Sequence, residues 1–193
     1  DKVAKRYLVP GLYSDSTLAS AKELLDACSE DAILITQGDS DTYPLWYMQE
    51  MEVYRQDVRV INHNLLRTSY YLAMLAAAEG YTYPLPLSIP PDRYRENSLQ
   101  FVYLQDNDTS LELGEMIDFV ADTDTANKLK IQAAYYDYFP ARRYWIPVAW
   151  ESVKQLPYLE NAVNVEMVGR VQGKLEGSYV LRDAIILLDI LAH

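Results

Sequence analysis

The stretch AILITQGDSDTYPLWYMQEMEVYRQDVRVINHNLL, residues 32–66, decides how this chain is read. Ala32 to Thr36 is a short apolar run rich in branched residues, Gly38 interrupts it, and Val58 to Ile61 repeats the apolar signature after a helix-length gap. That order predicts a βαβ unit. Between the runs, Pro44 suits a first helical turn, where a missing N–H costs nothing. Asp41 or Thr42 then falls at the capping position, and Pro44, Tyr47, Met48, Met51 and Tyr54 share one face. Asp39 and Asp41 lie on the strand-to-helix turn, and Asn62, His63 and Asn64 leave the second strand beside them. The carboxyl ends of parallel strands are where ligands collect in α/β proteins, so a polar cluster is expected at that edge.

The residues GDSDTYPLWYMQEMEVYRQDVRVIN within this stretch resemble the signature NGDNDTFPLWYxQEVExxRxDVRVxN of a bacterial membrane-protein family. That family is related to the transmembrane protein O-mannosyltransferases. Asp39, Asp41, Thr42, Trp46, Gln49, Glu50, Arg55 and Asp57 are in register with the signature. Gln37, Ser40, Tyr43 and Met51 replace its usual Asn, Asn, Phe and Val. RRYWIPV at residues 142–148 and LLDILA at 187–192 resemble the same family. The resemblance implies a C-terminal region excised from a longer protein with a multi-span membrane portion, held at the periplasmic or other extracytoplasmic face. It also implies that the catalytic carboxylate belongs to the membrane portion, so that no catalytic residue is assigned here.

Composition bounds the remaining choices. A chain of 193 residues, half of them hydrophobic, can bury a sizeable core. It is expected to form a single α/β domain over 1–193, with a small C-terminal lobe from about residue 142 as a variant. A formal net charge of −11 argues against nucleic acid and against anionic membrane surfaces. The one cysteine, Cys28, has no internal disulfide partner and reads as a structural thiol on a helix face. The longest apolar candidate, residues 70–78, is far short of the roughly 20 residues that cross a bilayer.

In chain order, the periodicity predicts a lead-in broken at Pro10 and Gly11, a helix over Thr17 to Cys28, and the βαβ unit. A helix follows from Arg67 to Glu79 with Tyr70, Ala73, Met74 and Ala77 inward and Gly80 ending it. Pro84, Pro86, Pro90 and Pro91 impose an extended connection. Leu99 to Leu104 and Arg142 to Val148 read as strands. Thr109 to Glu112 has the form of a capping box opening a helix with Leu113, Met116, Ile117 and Val120 on one face. Trp150 to Leu156 reads as a helix, Ala162 to Val168 as a strand, Gly169 to Ser178 as a turn, and Leu181 to Ala192 as a closing helix. The order of elements predicts a three-layer Rossmann-like α/β domain with a mainly parallel sheet.

The candidate binding residues are Asp39, Ser40, Asp41, Thr42, Trp46, Gln49, Glu50, Arg55, Asn62 and Asn64. Asp39 and Asp41, two apart on a loop, have the D-x-D spacing that lets two carboxylates reach one Mg²⁺ or Mn²⁺, although no metal is required. Both aspartates read equally as local structure, one bracing the Gly38 turn and one capping the helix. Glu50 with Arg55 or Arg59 reads as an ion pair, and the tyrosines at helical spacing read as packing. No Gly-rich nucleotide loop, nucleophile elbow or paired His/Cys motif is present.

Three functions remain open on the sequence. The first is a domain that binds or positions a glycan, a protein acceptor or its own membrane-spanning portion. The second is a metal-dependent enzyme acting on a nucleotide sugar or lipid-linked sugar through the Asp39/Asp41 loop. The third is a purely structural interaction domain.

Overall fold

The computed structural model describes residues 11–77, 84–94, 99–148 and 170–193. The expected Trp150 helix, the Ala162 strand, the Gly80 helix stop and most of the lead-in lie outside these residues. The chain forms two compact units, Asp1–Leu85 and Pro86–His193.

In the first unit, helix α1 (Asp15–Asp26) starts on Ser14, whose hydroxyl accepts from the Thr17 N–H, and buries Ala21 and Leu25. Strand β1 (Ile33–Thr36), helix α2 (Asp39–Met51) and strand β2 (Arg59–Asn62) follow. β1 and β2 pair in parallel, with Ile33 opposite Arg59 and Thr36 opposite Asn62. Every residue of β2 is buried, whereas β1 leaves Ile35 exposed. Ala21, Leu25, Leu45, Met48, Val58 and Val60 form a core cluster, with Leu18, Cys28, Trp46 and Tyr54 packed on its border. Cys28 is thus half-buried, and its thiol donates to the Leu24 carbonyl at 3.3 Å.

Three local expectations change here. Helix α2 begins at Asp39, so Pro44 lies inside it and has no N–H to give to the Ser40 carbonyl. The residue preceding the helix is Gly38, with φ of +107°, and no side chain caps the turn. The helix N-terminus is instead offset by Asp39 and Asp41 in its first turn. Beyond β2, a 3-10 turn (His63–Arg67) precedes helix α3 (Ser69–Ala76). That helix buries Tyr71, Leu72 and Leu75, while Tyr70, expected inward, is 79% exposed.

The second unit overturns the expected fold class. Strand β10 (Tyr179–Leu181) pairs antiparallel with β3 (Phe101–Leu104), which pairs in parallel with β7 (Tyr138–Phe139). A separate sheet joins β4 (Ser110–Glu112) in parallel to β8 (Arg143–Pro147), with β9 (Arg170–Lys174) antiparallel on its other side. A hairpin, β5 (Leu129–Ile131) with β6 (Ala134–Tyr136), makes a two-stranded sheet of its own. The sheets are therefore small and mixed, of two or three strands, and no three-layer Rossmann-like domain with a mainly parallel sheet exists among the described residues. The physical reason lies in the strands. A parallel sheet needs strands buried on both faces, whereas β8 has no fully buried residue and exposes both its ends, and β9 is exposed everywhere except the half-buried Gly173.

Helices α4 (Leu113–Ala121) and α5 (Arg182–Ala192) pack on one another and close this unit. Leu113, Met116, Ile117 and Val120 are fully buried, as are Ile185 and Ile186, but Leu181 is exposed ahead of α5. The capping box is not formed, because pairing with β8 claims Ser110 to Glu112, and α4 starts on Glu112 with no side-chain cap. Asp189 on α5 is wholly buried. It accepts from the Ser88 and Ile89 N–H groups at 2.8 and 3.0 Å and from the Tyr94 hydroxyl at 3.4 Å. Burial pushes its carboxyl above the usual range, and the two N–H donors pull it back. Ser88 and Ile89 are thereby fixed to α5.

One glycine is required by close approach. A Cβ on Gly173 would lie 2.2 Å from the Tyr144 ring carbon Cζ, since the two residues face each other across β8 and β9. Gly173→Ala should destabilise the chain by about 1 kcal/mol, because the tyrosine must swing off the strand. In the Tyr144→Ala background, the same change should cost much less in thermal unfolding, giving a clear coupling between the two sites.

Candidate functional site

The parallel pairing of β1 with β2 sets Thr36 beside Asn62, and the two strand ends deliver the site. Asn62 is fully buried, and its polar groups are engaged. Its Nδ2 donates to Asp39 Oδ1 at 3.2 Å, its Oδ1 accepts from the Asn64 N–H at 3.0 Å, and its own N–H donates to the Tyr71 hydroxyl at 3.0 Å. Asn62 thus ties the turn after β1 to the turn after β2. Beneath it, Thr36 and Thr42 are buried with hydroxyls 2.6 Å apart. Thr42 donates to the Gly38 carbonyl at 2.6 Å, and Thr36 Oγ1 lies 3.2 Å from the Ile61 carbonyl. With the Thr42 proton given to Gly38, the single Thr36 proton goes either to the Thr42 oxygen or to the Ile61 carbonyl, and both hydroxyls stay engaged at the base of the turn.

Above that base, Asp39, Ser40, Asp41 and Asn64 are exposed. Ser40 reaches Asp41 at 3.4 Å, and the Asn64 amide lies near Gly38. Tyr43, 37% exposed, stacks on Trp46 with ring centroids 5.5 Å apart and planes 25° from parallel. Burial first, and the Asp39 carboxylate second, hold the Tyr43 phenol above its ordinary value. Trp46 is itself fixed by donating its indole N–H to the Val60 carbonyl at 3.3 Å and by lying 6.3 Å from the Tyr71 ring. Tyr43 is absent from the residues marked on the sequence. Its signal is the alternation of Tyr43 and Trp46 around the first turns of α2, which reads as packing until the exposure is known.

The remaining marked residues divide differently. Gln49 is buried and donates to the carbonyls of Arg55 and Val58 at 2.8 and 2.6 Å, so it braces the return from α2 to β2. Glu50 is half-buried further along α2. Arg55 points away from the loop. Its guanidinium donates to the carbonyls of Leu25, Cys28 and Ser29 at 2.7 to 3.1 Å and grips Asp57 at 2.7 Å. It therefore caps the C-terminal end of α1, and sequence spacing could not reveal it, because carbonyl acceptors leave no mark on a sequence. As for a cation, no group of three His, Cys, Asp or Glu converges on a metal site among the described residues, and Asp39 with Asp41 offers two carboxylates. Mg²⁺ tolerates so sparse a protein shell when water and substrate oxygens complete it.

No helix of the described residues is long and apolar enough to cross a membrane. A family model described as TMEM260-associated domain 2 matches residues 17–193, and the chain belongs to that family, a domain associated with a membrane protein. No curated protein and no solved structure matches the chain.

The Arg55 contact carries a pH signature. The guanidinium holds the Asp57 carboxyl down to about 2, against 3.8 for a free aspartate. A lowered folded-state value stabilises the fold above pH 3.8, and that contribution disappears as pH falls through about 2. NMR titration should find the Asp57 midpoint near 2, and Arg55→Gln should move it toward 3.8. Arg55→Lys should keep part of the shift yet still lower the melting temperature, because an ammonium cannot reproduce the planar fork on three carbonyls.

Proposed function

We propose that this member of the TMEM260-associated domain 2 family is the extracytoplasmic domain of a glycosyltransferase-like membrane protein related to the protein O-mannosyltransferases. In this reading it binds or positions a glycan or glycan-bearing acceptor for its own membrane-spanning portion. The observation that carries the reading is the meeting of Asp39, Asn62 and Asn64 at the ends of β1 and β2, beside the exposed ring of Tyr43 stacked on Trp46. A pyranose offers adjacent hydroxyls on its rim and an apolar C–H face. A carboxylate and an amide suit the first, and an aromatic ring suits the second.

In this reading the division of labour follows burial. Asn62 orients Asp39, Thr36 and Thr42 hold the loop, and Asp39, Ser40, Asp41 and Asn64 meet the ligand. Trp46 sets the plane of the Tyr43 ring.

A second reading, a metal-dependent site for a nucleotide sugar or lipid-linked sugar, draws on the exposure of Asp39 and Asp41 on one helical turn. The two separate in one set of titrations. With neutral monosaccharides and α-mannosides as probes, NMR shifts should cluster on Gly38 to Tyr43 and Asn62 to Asn64 without added metal. Asp39→Ala and Asn64→Ala should each weaken binding about tenfold, near 1.4 kcal/mol. Binding of Mn²⁺ in calorimetry, with sugar shifts appearing only in its presence, would favour the metal reading. Silence in both titrations would leave a structural interaction domain.

A further inference from the structure

Three residues of the second unit, Ser88, Asp189 and His193, meet. Ser88 Oγ lies 2.7 Å from His193 Nε2. His193 Nδ1 lies 3.1 Å from the Asp189 main-chain carbonyl and 3.7 Å from its carboxylate Oδ1. A carbonyl can only accept, so Nδ1 carries the proton of the neutral ring and Nε2 presents its lone pair. Ser88 must then donate its hydroxyl proton to Nε2. That is the protonation pattern in which a serine is deprotonated as it attacks, and the buried Asp189 carboxylate stands close enough to stabilise the imidazolium that results.

The same carboxylate sets the limit of the site. The N–H groups of Ser88 and Ile89, which could otherwise stabilise a tetrahedral oxyanion at Ser88, are both held by Asp189. Attack on a donor and release by water both pass through that oxyanion without the two donors. Only an activated ester, whose leaving group departs readily, therefore reacts with the His193-assisted serine, and the unactivated alkyl ester left on Ser88 persists. We propose that Ser88 is an acyl-acceptor site, activated by His193, that takes an acyl group from an activated ester and keeps it. Ser88 Oγ forms a bond to the acyl carbon, the bond from that carbon to the leaving alkoxide oxygen breaks, and the serine proton passes to His193 Nε2 and on to the departing alcohol. Ser88 is partly open to solvent, and the His193 side chain is 37% exposed, so a small donor can reach both.

The test is acetylation of the full chain by p-nitrophenyl acetate, followed by peptide mass spectrometry. The acetyl group should accumulate on Ser88 about 10²-fold faster than on solvent-exposed serines such as Ser16, the low end of general-base assistance. The rate should rise with pH through a single ionisation. Ser88→Ala preserves the N–H that Asp189 holds, and it should abolish the adduct without altering the fold. His193→Gln should bring Ser88 to the background rate and flatten the pH profile, a change that a merely structural role for the histidine would not cause. Equal labelling of Ser88 and Ser16, an adduct that stays on His193, or a Ser88 rate indifferent to His193→Gln would each overturn the proposal. So would rapid turnover with no lasting adduct. None of these outcomes depends on whether the Asp39 loop binds a sugar.

Discussion

The guanidinium of Arg55 is the contact on which the first unit depends. The carbonyls of Leu25, in the last turn of α1, and of Cys28 and Ser29, just past its end, all turn to this one side chain, and the Leu25 carbonyl also accepts from the Cys28 N–H at 3.2 Å. Asp57 holds the fork in plane from the other side. The backbone bends to make this arrangement, since Arg55 itself sits at φ of +46°, a conformation that side chains other than glycine seldom adopt. Gln49 then secures the bend by donating to the Arg55 carbonyl. The residues that look most like binding groups in the signature thus divide into two sets. Gln49, Arg55 and Asp57 face the frame, while Asp39, Ser40 and Asp41 in the first turn of α2, and Asn64 in the turn after β2, face solvent.

The division explains why the candidate site needs little added order to receive a ligand. Its lower half is a hydrogen-bonded set made of the buried side chains of Thr36, Thr42 and Asn62 with neighbouring main-chain groups. Its upper half is short side chains and one ring, so few rotamers are lost on binding. The second unit displays aromatic surface of another kind. Tyr179, Phe101, Tyr103 and Tyr136 touch edge to face in sequence, with centroids 5.2 to 5.8 Å apart, across β10, β3 and the hairpin. These rings support one another, which accounts for part of the tyrosine content without assigning it to a ligand.

How much of this could be read from residues alone depends on how local each cause is. The strand, helix and strand between Ile33 and Asn62 follow from apolar runs and a glycine break, and with them the meeting of Asp39 and Asn62. The face of α3 does not follow, because Tyr70 to Ala76 is nearly all apolar and periodicity then favours no side. The strand pairing of the second unit does not follow either, for a related reason. Its described strands run two to five residues, too few for an alternation to declare parallel or antiparallel partners, and pairing is decided by which strand lies alongside. Thr109 to Glu112 shows the contest directly, since a motif suited to a helix start is drawn into a sheet by β8.

The reach of Arg55 also bears on the order of events in folding. A helix of 12 residues is marginal by itself in water, and α1 is of that length. The carbonyls of its last turn and of the exit that follows it are gathered by a residue 26 to 30 positions later, after a strand and a second helix have been laid down. The end of α1 is therefore a long-range contact in disguise, and closing it carries the loop entropy of everything between. During folding, α1 should remain frayed until the turn at Arg55 has formed. In the native state, its last turn and that bend should exchange amide hydrogens as one cooperative unit, opening and closing together.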